Sequence, residues 1–443
     1  MRRLRHPHLH AHALPEVHWH KFRSHPQYNK LLIYSWLLVI AVVFIGTVID
    51  GTGFSFGVFF KFLQSDLGLN RAMLSVVFAI SVVLSSIFGF LGGWALDKYG
   101  PRRVLFIMGV FTAASLLLTS QIQSSWQIFI TYSLMLAIGT GPVYAVTNSI
   151  VMRTFKKEQG LVIGIANAGE GLGLIIMAPV ATLLIASFDW RMAYIIIGLV
   201  ALVTVIPVSL LVKQTPQESV AGAKVIELNT KASPTSEGLS IARAAKTRSF
   251  WLFALIGVLM ASGIHLIITH IIPHTTDIGH TEEQAAVMLS LIGIGTITGG
   301  ILMGLVCDKL GQKKTSVSSC LLLAVALFWL ISATPLWSLY LFAFVFGFAF
   351  GGVLTALTAL VGHSFGVANI GKMLGVLDLS FGVAALAGPL LAGIIYDAGH
   401  DYTPAFIFAA VSALVATLLV TQIRCETEYA TTNGGIVEKK ASL

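Results

Sequence analysis

The chain has 443 residues, of which 56% are hydrophobic and 11% charged, with a net charge of +8 and a mean hydropathy of +0.84. Water-soluble domains carry about a quarter charged residues, so this composition excludes one and describes a chain that lives in lipid. Three cysteines, Cys307, Cys320 and Cys425, fall in or beside apolar runs and imply no disulfide framework.

Residues 1–30 hold Arg2, Arg3, Arg5, Lys21, Arg23 and Lys30 with seven of the thirteen histidines. This reads as a solvated cytoplasmic tail, although a His-rich tract also permits metal binding. Twelve apolar runs follow, near 31–60, 74–96, 103–121, 126–152, 158–186, 190–212, 249–272, 284–307, 315–333, 337–362, 370–396 and 402–424. A helix needs roughly 20 residues to cross a hydrocarbon core, and each run supplies them. The first begins near Leu31 without a small-residue cleavage site, which marks a span and not a removed leader. A membrane barrel would alternate over short segments instead. The expected architecture is an all-α integral membrane protein: six helices in 31–212, a linker over 213–248 rich in Ser, Thr, Pro, Lys and Glu, six more helices in 249–424, and a tail from 425 to 443.

Lys and Arg set the orientation. With the N-terminus inside, only Lys61, Arg71 and Arg191 of the 28 basic residues lie outside, a strong positive-inside bias. Both termini are therefore expected to be cytoplasmic, in the plasma (inner) membrane, and the positive charge asks for no nucleic-acid partner. Six spans per half, an even number, make the halves parallel repeats.

A repeat is visible in the letters themselves. Gly93, Asp97, Lys98, Gly100, Arg102 and Arg103 form a basic turn after the second run. Gly304, Asp308, Lys309, Gly311, Lys313 and Lys314 form its copy after the eighth, 211 positions on. Trp126 and Trp337, Gly160 and Gly371, and Gly164 and Gly375 keep the same offset.

These turns are similar to the loop signature of the major facilitator superfamily, Gly-x3-Asp-(Arg/Lys)-x-Gly-x-(Arg/Lys)-(Arg/Lys), over roughly residues 31–424. Ser55 to Phe60, Asp66-Leu67-Gly68, Asp189-Trp190-Arg191, Gly388 to Gly393 and Tyr396-Asp397 resemble the bacterial monocarboxylate-porter and oxalate/formate-antiporter branch. The resemblance implies a monomeric secondary transporter without a cofactor, whose spans 1, 4, 7 and 10 line a central cavity. It also implies that the repeated turns gate the cytoplasmic side. A physical reason accompanies it: Asp97 ends span 2 on the face where span 11 begins, so its carboxylate would meet a positive helix N-terminus. By symmetry Asp308 would meet the start of span 5.

Three acids interrupt the apolar runs: Asp50, Glu170 and Asp378. A charge at mid-membrane costs about 2.5 to 3.5 kcal/mol on insertion scales, so each is a candidate for proton or substrate binding. A neutral acid hydrogen-bonded between helices is the plainer reading. His265, His270 and His274 occupy the outer half of span 7, and histidine titrates near physiological pH. His265 is a candidate for protonation or substrate binding. His270 and His274 have a possible metal spacing but no evident third ligand. Tyr144 and Asn148 share a face of span 4, and Asn167 shares one with Glu170. With Tyr340 on span 10, the family's cavity-lining pattern makes them candidates, ordinary interhelical bonding being the alternative.

Two positions depart from carboxylate-carrying relatives. Thr296 stands where an Arg is usual in span 8, and Asp378 near a Lys of span 11. A carboxylate would lack a permanent counter-ion here, which leaves protonated monocarboxylates, neutral solutes or cations. No nucleotide-binding loop and no catalytic His/Asp or Ser/His set is present. The expected function is proton-coupled transport of a small organic solute by alternating access; an exporter of cationic or apolar compounds and a transport-inactive receptor are the rivals.

Overall fold

The computed structural model describes residues 26–69, 71–155, 157–212 and 239–424. The His-rich segment 1–25, most of the expected linker (213–238) and the tail 425–443 with Cys425 lie outside the described residues. Contacts divide the chain into Met1–Leu37, whose described part is helical, and Leu38–Leu443.

Among the described residues, twelve helices are long and apolar enough to span a membrane. Spans 1 to 6 are Ile33–Phe60, Met73–Tyr99, Pro101–Thr119, Phe129–Thr154, Gln159–Ser187 and Trp190–Leu211. Spans 7 to 12 are Arg248–Asp277, Glu283–Leu310, Gln312–Leu330, Leu336–Phe365, Ile370–Gly399 and Thr403–Thr421. Helices are what these sequences must form in hydrocarbon, where every backbone N–H and C=O needs an internal partner. Local chemistry sets their ends. Asp189 caps span 6 by accepting from the Met192 N–H at 2.6 Å, and Thr281 with Gln284 makes a reciprocal capping box on span 8. The tight turns of the repeated motif use Gly100 (φ 83°) and Gly311 (φ 91°), a backbone region that L side chains avoid.

Two spans are broken, which continuous hydropathy does not reveal. Span 1 turns at Ser55, between Phe54 and Phe56. Span 4 opens with a π-helix over Phe129–Met135, continues as α-helix over Leu136–Thr140, turns at Gly141 and Pro142, and resumes over Val143–Thr154. Pro142 has no N–H to continue the ladder, and this fixes the break.

Spans 3 and 6 pack as a pair, as do 9 and 12. Phe106, Val203, Val325 and Leu418 on these helices remain exposed, a face suited to lipid. Among the described residues, the halves meet chiefly where span 2 packs on span 11 and span 5 on span 8, with smaller contacts of span 4 with span 11 and of span 5 with span 10, and the Tyr144 hydroxyl reaching Thr358 of span 10. Glycine allows the first two to close. A Cβ on Gly93 would overlap the Gly371 carbonyl, and one on Gly160 the Gly304 carbonyl. Because Gly93 maps onto Gly304 and Gly160 onto Gly371 at the 211-residue offset, the two contacts are images of each other.

Candidate functional site

All three intramembrane acids are half-buried. From the helix starts near the repeated motif, Asp378 is about 12 Å and Glu170 about 17 Å deep at 1.5 Å per residue. Glu170 and Asp378 lie within electrostatic reach of Asp50, and Glu170 within reach of Asp378. Folding thus gathers acids of spans 1, 5 and 11, from both halves, into one neighbourhood. Tyr144 belongs to it, in range of Asp378 and Glu170, and its hydroxyl crosses to the Thr358 hydroxyl of span 10 at 2.6 Å. Among the described residues, every Lys and Arg within a span sits in its terminal turns, so the acids share an interior without a fixed cation.

Asn148 and Asn167 meet one turn nearer the motif end. The Asn148 amide donates to Asn167 Oδ1 at 3.0 Å and to the Tyr144 carbonyl at 3.0 Å. Among the described residues, Asn148 Oδ1 and Asn167 Nδ2 keep no hydrogen-bond partner. These two side chains therefore bind each other across the seam of spans 4 and 5. Thr296, at the position of the missing span-8 cation, is buried and donates to the Ile292 carbonyl at 2.8 Å.

Other candidates fall elsewhere. His265 Nδ1 is 2.9 Å from its own helix's Ala261 carbonyl. His270 ties span 7 to its neighbours: Nε2 donates to the Pro389 carbonyl at 3.0 Å and Nδ1 is 3.3 Å from the Tyr402 hydroxyl. The His274 ring stands edge-on to Tyr402 and Phe406. No group of three metal-ligating side chains occurs among the described residues. Tyr340 begins span 10, eighteen residues before Thr358, or about 27 Å away along the helix, and so does not join the acids. Between spans 11 and 12, the N–H and hydroxyl of Thr403 donate to Asp401 at 2.9 and 2.8 Å and hold its carboxyl below the usual range.

At the motif end, the Asp97 carboxylate accepts from the N–H groups of Gly371 (3.2 Å) and Lys372 (2.9 Å) at the start of span 11. Asp308 accepts from those of Gly160 (2.8 Å) and Leu161 (2.9 Å) at the start of span 5. Both acids thus sit on positive helix termini. The sequence reading missed a third partner: Arg153, ending span 4, pairs with Asp97 at 2.5 Å. The letters carry one signal for it, a cation in the last turn of its span. The two contacts are unequal. The Asp97 side chain is 3% exposed and needs a counter-charge; Asp308 is exposed, and the position matching Arg153 is Ser364. Elsewhere in the motif, Lys98 stands over the Trp94 and Tyr99 rings at 4.9 and 5.1 Å and Lys313 donates to the Ile423 carbonyl at 2.8 Å. Arg102, Arg103, Lys309 and Lys314 are exposed.

The family model of the Major Facilitator Superfamily matches residues 42–281 and 254–436. The chain belongs to this superfamily. It is a Major Facilitator Superfamily transporter, and that family's members are transporters and not enzymes. Monocarboxylate transporter 12 of Xenopus laevis is 25% identical over 415 residues, covering 87% of this chain and 88% of that one. An MFS-type transporter of Gibberella moniliformis is 27% identical over 366 residues, covering 81% and 84%. In fold, the chain is similar to the proton:xylose symporter XylE bound to 6-bromo-6-deoxy-D-glucose, with a TM-score of 0.73, 15% identity, and 90% and 99% of the two chains covered. The superfamily fold accounts for the twelve spans and the paired seams.

Proposed function

We propose that this transporter moves a small organic solute of the monocarboxylate type together with protons, by alternating access of its two six-helix halves. The gathering of Asp50, Glu170 and Asp378 in an interior without a fixed cation supports this reading. An acid that must alternate between charged and neutral forms is what proton coupling needs, and a carboxylate substrate without a permanent counter-ion travels best with a proton. Similarity to monocarboxylate transporters supports the solute class. Tyr144, Asn148 and Asn167 would contact the solute as the passage opens, with His265 and Tyr340 nearer its outer mouth. Asp97 and Asp308 would hold the cytoplasmic side shut, with both termini inside, the chain working as a monomer among plasma-membrane lipids.

The test is uptake into proteoliposomes of monocarboxylates against neutral and cationic solutes, with and without a pH gradient. Accumulation of a monocarboxylate that collapses with a protonophore is the expected result. Gradient-independent uptake that survives joint neutralisation of the three acids would sink the proton coupling. The same acids without a cation favour a second reading, export of cationic compounds; proton-driven efflux of an organic cation with no monocarboxylate flux would establish it.

A further inference from the structure

Asp378 reaches across the seam between the two halves. It belongs to span 11 of the second half, yet its carboxyl group occupies the space a side chain on Gly89 of span 2 would fill: a Cβ there would fall inside the carboxyl group, and 3.0 Å from the Gly141 carbonyl oxygen. Three segments therefore converge on one point. Gly89 supplies a missing side chain, Gly141 supplies an oxygen at the break of span 4, and Asp378 fills the gap. The same seam closes further along, where a Cβ on Gly375 would lie 2.9 Å from the Phe90 Cα and one on Gly382 would overlap Ser86.

A neutral carboxyl group can turn its O–H toward a carbonyl oxygen. A carboxylate cannot, because it only accepts, and enclosing it beside another oxygen without a donor is costly. Among the described residues, no group donates a hydrogen bond to Asp378. The titratable side chains in electrostatic reach are Glu170 of span 5, Asp50 of span 1 and Tyr144 of span 4, none of which adds positive charge. Span 2 meets this stretch of span 11 through Ser86, Gly89 and Phe90, and span 7 through Gly257 against Ser380 and Phe381, none of them titratable.

We propose that the Gly89–Gly141 cradle reads the protonation state of Asp378, so that the seam of spans 2 and 11 closes on the neutral acid and opens on the carboxylate. Gly89 is then a positioning residue for the coupling step. This deepens the proton-coupled reading and rests on it for its place in the cycle, but its test needs no substrate.

The experiment places spin labels at two exposed sites flanking the seam, Tyr99→Cys and Val367→Cys. The background lacks Cys307, Cys320 and Cys425. The full chain is reconstituted in lipid nanodiscs, and label distances are read from pH 5.5 to 8.5. In the parent, the short-distance population should fall at least tenfold relative to the long one as pH rises. Asp378→Asn should hold the short distance at every pH, whereas Gly89→Ala, which evicts the carboxyl group, should hold the long one. Gly89→Ala with Asp378→Ala should return to the short distance without pH dependence, which separates seam reading from simple misfolding. A parent distance that ignores pH, or a pH profile that survives Asp378→Asn, would overturn the proposal. So would a profile abolished by Glu170→Gln but not by Asp378→Asn. If this profile appears and no proton-driven uptake exists, the transport reading alone fails.

Discussion

Replacing Asp97 by Asn tests the gate most directly. The carboxylate accepts from two backbone N–H groups of span 11 and pairs with Arg153 while its side chain is 3% exposed. Hydrogen bonds involving a charged group contribute about 1.5 to 3 kcal/mol each. Asparagine keeps one acceptor oxygen and loses the ion pair, and the Arg153 side chain, 29% exposed, recovers part of its hydration. The net loss from the state closed at the motif end is about 2 to 4 kcal/mol. At 1.4 kcal/mol per factor of ten, the population shifts roughly 30- to 700-fold toward states open at that end. Asp308 accepts two N–H bonds at an exposed site with no cation among its hydrogen-bond partners. Asp308→Asn should cost about 1 to 2 kcal/mol, a shift of roughly 5- to 30-fold. Ser364, fully buried near the end of span 10, offers the assay: with the native cysteines removed, the maleimide alkylation rate of Ser364→Cys in membrane vesicles reports opening of the motif end. The rate should rise strongly with Asp97→Asn and modestly with Asp308→Asn, and exchange of bound solute should slow in the first variant. A parent-like alkylation rate in Asp97→Asn, or equal effects of the two substitutions, would refute the reasoning.

Asp50→Asn, Glu170→Gln and Asp378→Asn together should abolish proton-driven accumulation while leaving exchange at equal pH on both sides, measured by counterflow in proteoliposomes. Gly299→Ala would push a methyl group into the Phe348 carbonyl of span 10; overpacking of this kind costs about 1 to 3 kcal/mol, read as a lower melting temperature in detergent. Thr403→Val removes the hydroxyl donor to Asp401, so the Asp401 carboxyl should titrate closer to the ordinary range. Because the folded state lowers this group's pKa, its stabilisation is present above the ordinary carboxylate pKa and disappears as pH falls through the folded value. Carbon-detected NMR of labelled aspartate would show an upward move in the variant; an unchanged titration would contradict the hydrogen-bond cause.

The twelve spans were legible because each is a continuous apolar run, and lipid leaves such a run little choice but helix. Their ends ran a few residues short in places: Asp97, Lys98 and Tyr99 still belong to span 2, since hydropathy falls at the polar boundary before the backbone stops turning. The breaks at Ser55 and Pro142 escaped notice, as flanking apolar residues mask them. At the motif end, the approach of Asp97 to span 11 and of Asp308 to span 5 was readable from the repeat and helix polarity. For Arg153 only its place in the last turn of span 4 was readable, because the spatial pairing of spans 2 and 4 that gives it Asp97 as a partner leaves no mark in the letters. The depth of each acid was readable, but their meeting depends on how every helix is rotated about its axis. Gly89 is one of 42 glycines and nothing local distinguishes it.

The π-helix at the head of span 4 holds slack. A wide turn contains more residues than an α-turn of the same height, so tightening it would feed a surplus residue downstream, about 1.5 Å of travel and 100° of rotation. Tyr144, Asn148 and Arg153 all lie downstream on the same span, past its turn at Gly141 and Pro142. A single screw motion there would let go of the Thr358 hydroxyl, the Asn167 amide and the Asp97 carboxylate together, since all three contacts hang on one piece of backbone.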